Sequence, residues 1–511
     1  MGGKVVIGVD VGTQSLRAMV FDLSGNPLGS AAQAYTTYHD RVSWAEQEPA
    51  DWWNAATSCV REALTQSGAA PGDVVGLSVD STSCTVVPVK ADGTVLRRAL
   101  LWMDVRSVAQ AERVTATGHD QLKYVSGVES AEWMLPKALW LKEHQPEIWA
   151  EADLVIECQD WLLHRLTGRW VAALNQVTCK WNYAAPSGGW PTGLLAELGL
   201  GDLADKWPTE VLPIGAPVGT LTAEAAAALG LTTDVVVSQG GIDAYTGMLG
   251  LGVVEPGQMA LVMGTSTCHL ALCQEGLFNS HVWGPYPDAL MPGTWVLEGG
   301  QTTTGAVVTW FRDQFGAPAE AEAQRRGVSI WEVLDEQAAA VPAGCEGLVL
   351  ADWFQGNRTP LRDPRARGAL VGLSLKHTAA HIFRAIYEGT AYGTRHILDD
   401  LSSAGFRASG IFACGGGTKS ALWLQIHADV CGVPLYLTKV ADATCLGTAV
   451  AAAAGAGCFD GVVAAARAMV QVEREIQPDP TMTAAYEPYY RNYVGLYPAL
   501  VETMHDLADR G

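Results

Sequence analysis

One pattern, a β-strand followed by a Gly-Thr turn and a second strand, occurs once in each half of this 511-residue chain. In the first half, the β-branched run 5–9 leads to Asp10 and then to Gly12-Thr13-Gln14-Ser15, after which 16–23 alternates. In the second half, 258–263 leads to Gly264-Thr265-Ser266-Thr267, and 268–273 is the hairpin partner. Alternation predicts strands, and glycine with small polar residues predicts the turns. The repeat predicts two duplicated α/β domains that face a common cleft.

The rest of the chain fits two large domains. A length of 511 residues is too great for one ordinary core, and strands alternate with helices to about residue 220. No long Pro/Ser-rich linker interrupts the chain. We expect a domain boundary near residues 245–256, which gives domains 1–250 and 251–511.

The two turns carry the residue types of phosphate-binding loops. Glycine lets a ligand approach the backbone, and N–H groups together with Thr and Ser hydroxyls can surround phosphate oxygens. Asp10, at the end of a strand, can hold Mg²⁺ directly or through water. A plain hairpin turn is the alternative for either loop alone, and the presence of two loops favours phosphate binding. The chain has no G-x-x-x-x-G-K-[ST], so it is not a P-loop protein.

A second carboxylate, Asp243, follows Gly240-Gly241-Ile242 at a predicted strand-to-helix junction. As a structural residue it would be the N-cap of a helix that starts near Ala244. As a functional residue it would be a general base that takes a proton from a substrate hydroxyl during phosphoryl transfer. The neighbouring phosphate loops favour the base.

Several other polar positions are candidates for ligand contact. The segment 414–420 follows a buried strand and opens a helix, so its glycines can lie against a nucleotide, although a plain βα turn is the alternative. Polyols are recognised by charged and amide groups beside aromatic rings. Four residues of these types stand among apolar neighbours: Trp102, Asp104, Lys180 and Glu298. For each of these four residues taken alone, a purely structural role is the alternative to ligand contact.

Charge and cysteine content exclude several classes of protein. Lys and Arg number 33 and Asp and Glu 54, a formal net charge of −21. General nucleic-acid binding is therefore not expected, because it needs clustered basic residues. The 11 cysteines are scattered and contain no CxxC, which is typical of a reduced, cytoplasmic protein. No signal-peptide core and no apolar run of about 20 residues occurs, so we expect no membrane partner.

Taken in order, the motifs resemble the FGGY carbohydrate kinases of the sugar kinase, Hsp70 and actin superfamily. Besides the two loops and Asp243, the resemblance covers four segments and the Tyr-rich tail: 102–106, 132–140, 384–391, 415–417 and 486–497. The chain looks most like the pentulose kinases of that family, such as ribulokinases. The segment 79–85 differs from the Asn-Gln-Arg-Glu type motif of glycerol kinases, which argues against glycerol. The resemblance implies two ribonuclease H-like domains around a central cleft.

The resemblance also implies an ATP-dependent, Mg²⁺-requiring kinase that phosphorylates the C5 hydroxyl of a ketopentose, with ribulose favoured. Xylulose and polyols (erythritol, ribitol, glycerol) stay open, as does an Hsp70-like or actin-like ATPase. It implies that Asp243 is the base and Asp10 holds the metal, and a homodimer is possible. The implied sugar contacts are Ser83, Trp102, Asp104, Lys180, Asp243 and Glu298. The implied nucleotide contacts are Gly12, Thr13, Gln14, Ser15, Gly264, Thr265, Gly305, Thr309, Gly416, Gly417 and Ser420.

Overall fold

The computed structural model describes residues 3–278 and 281–510. Its strands are β1 Val5–Val11, β2 Ser15–Asp22, β3 Pro27–Ala34, β4 Glu46–Gln47, β5 Val74–Ser81, β6 Val86–Val89, β7 Ala99–Leu100, β8 Leu154–Glu157, β9 Ala172–Ala173, β10 Val211–Leu212, β11 Pro217–Thr220, β12 Val236–Ile242, β13 Gln258–Met263, β14 Thr267–Cys273, β15 Trp283–Pro287, β16 Trp295–Gln301, β17 Val349–Ala351, β18 Ala369–Val371, β19 Gly410–Cys414, β20 Leu435–Thr438 and β21 Val472–Ile476. Its α-helices are α1 Pro49–Ser67, α2 Val108–Ala116, α3 Met134–His144, α4 Pro146–Glu151, α5 Cys158–Thr167, α6 Leu174–Lys180, α7 Thr192–Glu197, α8 Ala223–Leu229, α9 Asp243–Gly250, α10 Gly305–Phe315, α11 Ala317–Arg326, α12 Ile330–Ala339, α13 Ala379–Ser403, α14 Ala421–Cys431, α15 Ala443–Gly455, α16 Gly461–Met469 and α17 Pro480–Arg510.

The first large sheet has the order β11-β12-β5-β1-β2-β3. Strands β1, β2 and β3 form an antiparallel meander, as the alternation predicts, while β5 and β12 add parallel to β1. Parallel strands are buried on both faces and read as continuous apolar runs, which is why β1 and β5 are so rich in valine. Parallel pairing also places the carboxyl ends of β1 and β5 side by side, and Asp10 lies opposite Asp80 in that register.

The second large sheet repeats this plan. Its order is β15-β16-β14-β13-β19-β20-β21, in which β13, β14 and β16 form the meander and β19 and β20 add parallel. Strand β13 corresponds to β1, so the turns after the two strands, at 12–15 and 264–266, occupy equivalent places in the two sheets. The expected duplicated α/β fold is confirmed.

Helices α9 and α15 cross between the two sheets, and α15 packs on β1, β5 and β12 although it lies late in the chain. Helix α15 approaches strand β1 and helix α9 closely because glycines at these contacts face the backbone of the neighbouring element. A Cβ at Gly8 would lie 2.2 Å from the carbonyl oxygen of Cys445, and one at Gly447 would lie 1.7 Å from that of Thr246. Real side chains do not approach so closely, so these glycines allow a helix of the C-terminal half to seal the N-terminal sheet.

The division into domains 1–250 and 251–511 stays a prediction. None of the helices in the described ranges combines the length and apolarity that crossing a bilayer requires.

Candidate functional site

A cavity of about 470 Å³ lies on the N-terminal half, but the predicted nucleotide residues line a different one of about 430 Å³ in the C-terminal half. All seven predicted nucleotide contacts of that half line the second cavity: Gly264, Thr265, Gly305, Thr309, Gly416, Gly417 and Ser420. They come from the β13–β14 turn, α10 and the segment that precedes α14. The structure therefore brings together three segments, the first and last of which are about 150 residues apart in sequence.

The phosphate-loop candidate of this half is held by the start of α10. The amide of Gly305 donates to the carbonyl of Gly264 (3.2 Å), and the amide of Ala306 donates to that of Thr265 (3.0 Å). A Cβ at Gly305 would stand 2.4 Å from the Gly264 oxygen. Glycine at 305 thus allows the helix to begin directly against the turn, while Gly264 and Thr265 stay exposed to the cavity.

An aromatic wall closes the other side of the cavity. The rings of Tyr387 and Trp423 stack with centroids 4.9 Å apart, and the Tyr387 hydroxyl donates to Asp335 Oδ1 (2.8 Å). Trp331 lines the same cavity and keeps 36% of its surface exposed. Ser420 accepts the amide of Trp423 (3.1 Å), so it also caps α14. A half-exposed tryptophan beside a cavity suits the flat face of a purine base.

The first loop, after β1, is held by two side chains from elsewhere in the N-terminal half. The indole of Trp102 donates to Thr13 Oγ1 (3.0 Å), and Gln47 Nε2 donates to the carbonyl of Thr13 (2.7 Å). Gly12 donates its amide to Ser15 (3.1 Å), which closes the turn. Trp102, predicted to contact sugar, contacts this loop, and Gln14 is exposed beside it.

Four carboxylates converge where the sheets meet the crossing helices: Asp10 on β1, Asp80 on β5, Asp243 on α9 and Asp442 before α15. Burial, with the nearby Asp442 carboxylate, raises the pKa of Asp10 to about 6. Burial and then Asp10 raise the pKa of Asp80, whose side chain is fully buried. Its Oδ2 accepts the Thr448 hydroxyl, whereas its Oδ1 has no partner among the described residues. Arg17, opposite Asp10 in the β1–β2 register, forms an ion pair with Asp442.

Asp243 is the first residue of α9, and Ile242 holds the N-cap position instead. The Asp243 carboxylate accepts the amide of its neighbour Ala244 (2.7 Å). Burial, and then the charge of Asp10, raise its pKa to about 7, while Lys180 acts in the opposite direction. A carboxylate with a pKa near neutrality can both accept and release a proton under physiological conditions.

Lys180 and Glu298 form the next part of the cleft. Lys180 Nζ lies 3.6 Å from Glu298 Oε2 and over the rings of Trp133 and Tyr286, at 5.2 and 5.9 Å from their centroids. Both charged side chains are largely buried, with 11% and 17% exposed. Charged groups beside aromatic faces are the combination expected for polyol recognition. The charges of Glu298 and Lys180 both act on the pKa of Asp243, the first raising it and the second lowering it. The Lys180–Glu298 pair and the carboxylate cluster therefore belong to one continuous site.

Ser83 and Asp104, two predicted sugar contacts, make well-defined contacts within the protein. The Ser83 hydroxyl donates to Glu157 (3.1 Å), a buried carboxylate that also accepts the indole of Trp181 (2.6 Å). Asp104 is fully buried, and both its oxygens are engaged, by Arg106 and by the amide of Ala45. The role of Asp104 in sugar binding stays a prediction. The alternative is a structural role, in which its carboxylate holds Arg106 and the amide of Ala45.

The sequence model of the FGGY family of carbohydrate kinases, N-terminal domain, matches residues 5–250, and that of the C-terminal domain matches 259–456. The chain belongs to the FGGY family of carbohydrate kinases. It is accordingly an ATP-dependent sugar phosphotransferase.

Relatives in this FGGY family resemble the chain over almost its full length. A ribulokinase of Geobacillus thermodenitrificans is 32% identical and covers 97% of this chain and 94% of its own. A ribulokinase of Mycolicibacterium smegmatis is 36% identical, with 97% and 93% covered. The crystal structure of a xylulose kinase from Rhodospirillum rubrum has a TM-score of 0.86 at 29% identity, covering 98% of this chain and all of that one.

Five residues near these candidate contacts were not predicted: Arg17, Asp80, Trp331, Asp335 and Asp442. Asp80 and Arg17 could have been found, because they stand opposite Asp10 once the strand register is assumed. Trp331 and Asp335 lie on α12, whose pattern is that of an ordinary amphipathic helix, so no local signal marks them.

Proposed function

We propose that this kinase transfers the γ-phosphoryl group of ATP to the C5 hydroxyl of a ketopentose, ribulose in preference, to give a pentulose 5-phosphate and ADP. The observation that carries the proposal is Asp243, a carboxylate with its pKa raised to about 7 beside the Lys180–Glu298 pair. Ribulokinase relatives support ribulose. The likeness to a xylulose kinase makes xylulose the second candidate.

The 430 Å³ cavity has the size and lining for a nucleotide. We place the base against the aromatic wall of Trp331, Tyr387 and Trp423, and the phosphates at the turn that carries Gly264 and Thr265. Thr13 would approach the terminal phosphates from the opposite domain, with its hydroxyl oriented by Trp102. Backbone amides and hydroxyls in such turns bind phosphate without a basic residue.

The residues around Asp10 fit Mg²⁺. This cation takes oxygen ligands, usually one or two carboxylates with several waters. Asp10 lies beside the unpaired Asp80 Oδ1, and together with Asp442 and Cys445 it could hold a metal ion, although a thiol does not suit Mg²⁺. Asp10 would hold Mg²⁺, with Asp80 and Asp442 accepting hydrogen bonds from its waters. Bound there, the ion would neutralise the charge of the phosphates.

Asp243 acts as the base. Its carboxylate accepts the proton of the sugar's C5 hydroxyl as that oxygen forms a bond to the γ-phosphorus, while the bond from this phosphorus to the β-γ bridging oxygen breaks. ADP carries away the electron pair of the broken bond. Lys180 and Glu298 would hold the sugar so that the hydroxyl points at Asp243, and Ser83 would contact the sugar from the N-terminal domain. Most of the rate enhancement in such transfers comes from positioning and charge stabilisation.

A substrate screen tests the proposal. Purified protein is assayed for ADP release with ATP, Mg²⁺ and each of L-ribulose, D-ribulose, D-xylulose, L-xylulose, ribitol, erythritol and glycerol. We expect the highest kcat/KM with a ribulose isomer. A higher kcat/KM for a xylulose or a polyol would refute the ribulose assignment, and ADP release that no sugar stimulates would refute sugar transfer.

A further inference from the structure

Arg358 is a cation in the sugar cleft that the proposed mechanism does not use. It lies in the segment between β17 and β18, and its side chain is exposed. Among residues 3–278 and 281–510 its guanidinium has no hydrogen-bond or ion-pair partner. An arginine carries five donors and stays charged at any physiological pH, so one without a partner inside a ligand cleft is available to a ligand.

The backbone around Arg358 is fixed against strand β16, which carries Glu298. The amide of Gly300 donates to Thr359 Oγ1 (3.3 Å), and the hydroxyl of Thr302 donates to the carbonyl of Gly356 (2.8 Å). These two bonds hold both sides of residue 358 to one short stretch of the strand. The position of Arg358 is therefore set by the fold, although the end of its side chain is not bonded.

The side chain of Arg358 lies on the same face of β16 as Glu298. A Cβ built at Gly300 would stand 3.2 Å from Arg358 Cδ and 3.6 Å from Nη1, so the side chain runs across the bare face of Gly300. Residues two apart in a strand point to one face, about 6.6 Å apart. The guanidinium thus lies over Gly300, two residues along the strand from Glu298.

The charges of the neighbouring groups agree with this placement. Cys268 lies opposite Gly300 in the β14–β16 register. Burial and then Glu298 raise the pKa of its thiol, while the charges of Arg358 and Lys180 act in the opposite direction. The charge of Asp243 also raises the pKa of the Cys268 thiol. Arg358 also opposes the protonation of Lys180. Arg358, Lys180, Glu298 and Asp243 therefore surround one small region of the cleft.

We propose that Arg358 is a sugar-contacting residue of the C-terminal domain, and that its guanidinium donates hydrogen bonds to oxygen atoms of the bound sugar beside Glu298. This inference rests on the proposed sugar kinase function. It gives the pocket a second cation, and glycine at 300 lets the Arg358 side chain lie directly on the strand, since a Cβ there would stand 3.2 Å from Arg358 Cδ. An Arg358 contact made equally in the bound and reacting states raises sugar affinity without changing the chemical step.

The test compares Arg358→Gln and Arg358→Lys with the wild-type enzyme. Arg365→Gln is the matched control, since Arg365 lies in the same segment but pairs with Asp509 at the surface (3.5 Å). We expect Arg358→Gln to raise the KM of the best sugar by about 10- to 100-fold, the range for losing a hydrogen bond from a charged group. kcat should change by less than about threefold, and the KM of ATP should not change. Arg358→Lys should recover part of the affinity, and Arg365→Gln should behave as wild type.

Three results would overturn the inference. An unchanged sugar KM in Arg358→Gln would show that the residue does not contact sugar. A fall confined to kcat would place the guanidinium at the transferred phosphoryl group instead. Equal weakening of sugar and nucleotide with a lower Tm would indicate a structural role. These outcomes presuppose a wild-type enzyme that phosphorylates a sugar of the screen; a wild type that neither binds nor phosphorylates any of them would refute the proposed function, and this inference with it.

Discussion

Replacing Asp243 by asparagine keeps the size of the side chain and removes its capacity to accept a proton. The hydrogen bond from the Ala244 amide can persist, because the asparagine Oδ1 also accepts. General base catalysis contributes about 10²- to 10⁴-fold in rate. We expect Asp243→Asn to lower kcat by about that factor and to leave the KM values of ATP and sugar within a few-fold of wild type.

The pH profile gives a second, independent magnitude. The base works only when deprotonated, and its pKa is raised to about 7. The active fraction is then about one tenth at pH 6, about one half at pH 7 and about nine tenths at pH 8. Activity at limiting sugar should therefore rise about fivefold from pH 6 to 7 and less than twofold from pH 7 to 8. These factors hold for the site without a cation; Mg²⁺ bound at Asp10 would lower the pKa of Asp243, so with saturating Mg-ATP the same rise should lie at a more acid pH.

The assay is ADP release from pH 5.5 to 9 at fixed ionic strength and saturating Mg-ATP. The wild-type enzyme should show the acid limb, and the residual activity of Asp243→Asn should lack it. Near-normal turnover in the variant would show that another group accepts the proton. An unchanged acid limb in the variant would assign that limb to a different residue.

Three further substitutions test other parts of the site. Gly305→Ala places a methyl group 2.4 Å from the Gly264 oxygen, so the KM of ATP should rise at least tenfold. The affinity for the sugar, measured directly by calorimetry, should stay unchanged. Asp10→Asn should raise the Mg²⁺ concentration for half-maximal rate about tenfold or more, and an unaltered Mg²⁺ titration would reject the metal role. Gly447→Ala forces a methyl group against the backbone of α9, so the Tm should fall by several degrees in differential scanning fluorimetry. Gly495→Ala, within helix α17 and with nothing within 4 Å of its Cβ position, is the control and should not lower the Tm.

The nucleotide cavity shows what local sequence can predict. The turns made of glycine, threonine and serine directly follow strands that alternation predicts, so their position in the fold follows from the strand pattern. All seven residues predicted in the C-terminal half line one cavity. Asp335 and Trp331, which line it too, come from a helix whose own pattern reflects only its packing. Their role depends on how α12 docks against α13, which no local spacing encodes.

Asp104 shows where the same reasoning is weakest. A carboxylate among apolar residues predicted ligand contact, yet Arg106, two positions later, holds both of its oxygens. The Arg106 guanidinium also lies 3.5 Å from the centre of the Trp44 ring. A polar residue in an apolar segment can find its partner in the ligand or in the protein, and sequence alone does not say which. Asp442 was missed for a related reason, since it meets Asp10 only because α15 packs on the opposite domain.

The charge along the cleft explains how a chain with net charge −21 can bind the polyanion ATP. Among the residues that line the nucleotide cavity, Lys419 is the single basic one, and Arg17 near the first loop is paired with Asp442. The phosphates must therefore rely on amides, hydroxyls and a cation from solution, which is the role we give Asp10 and Mg²⁺. At the sugar end the balance is reversed, because Lys180 and Arg358 stand beside Glu298. A neutral sugar needs hydrogen-bond donors rather than net charge, and Lys180 together with, as we propose, Arg358 would provide them. On the proposed site, the local arrangement of charges, and not the net charge of the chain, would decide which ligand each end of the cleft accepts.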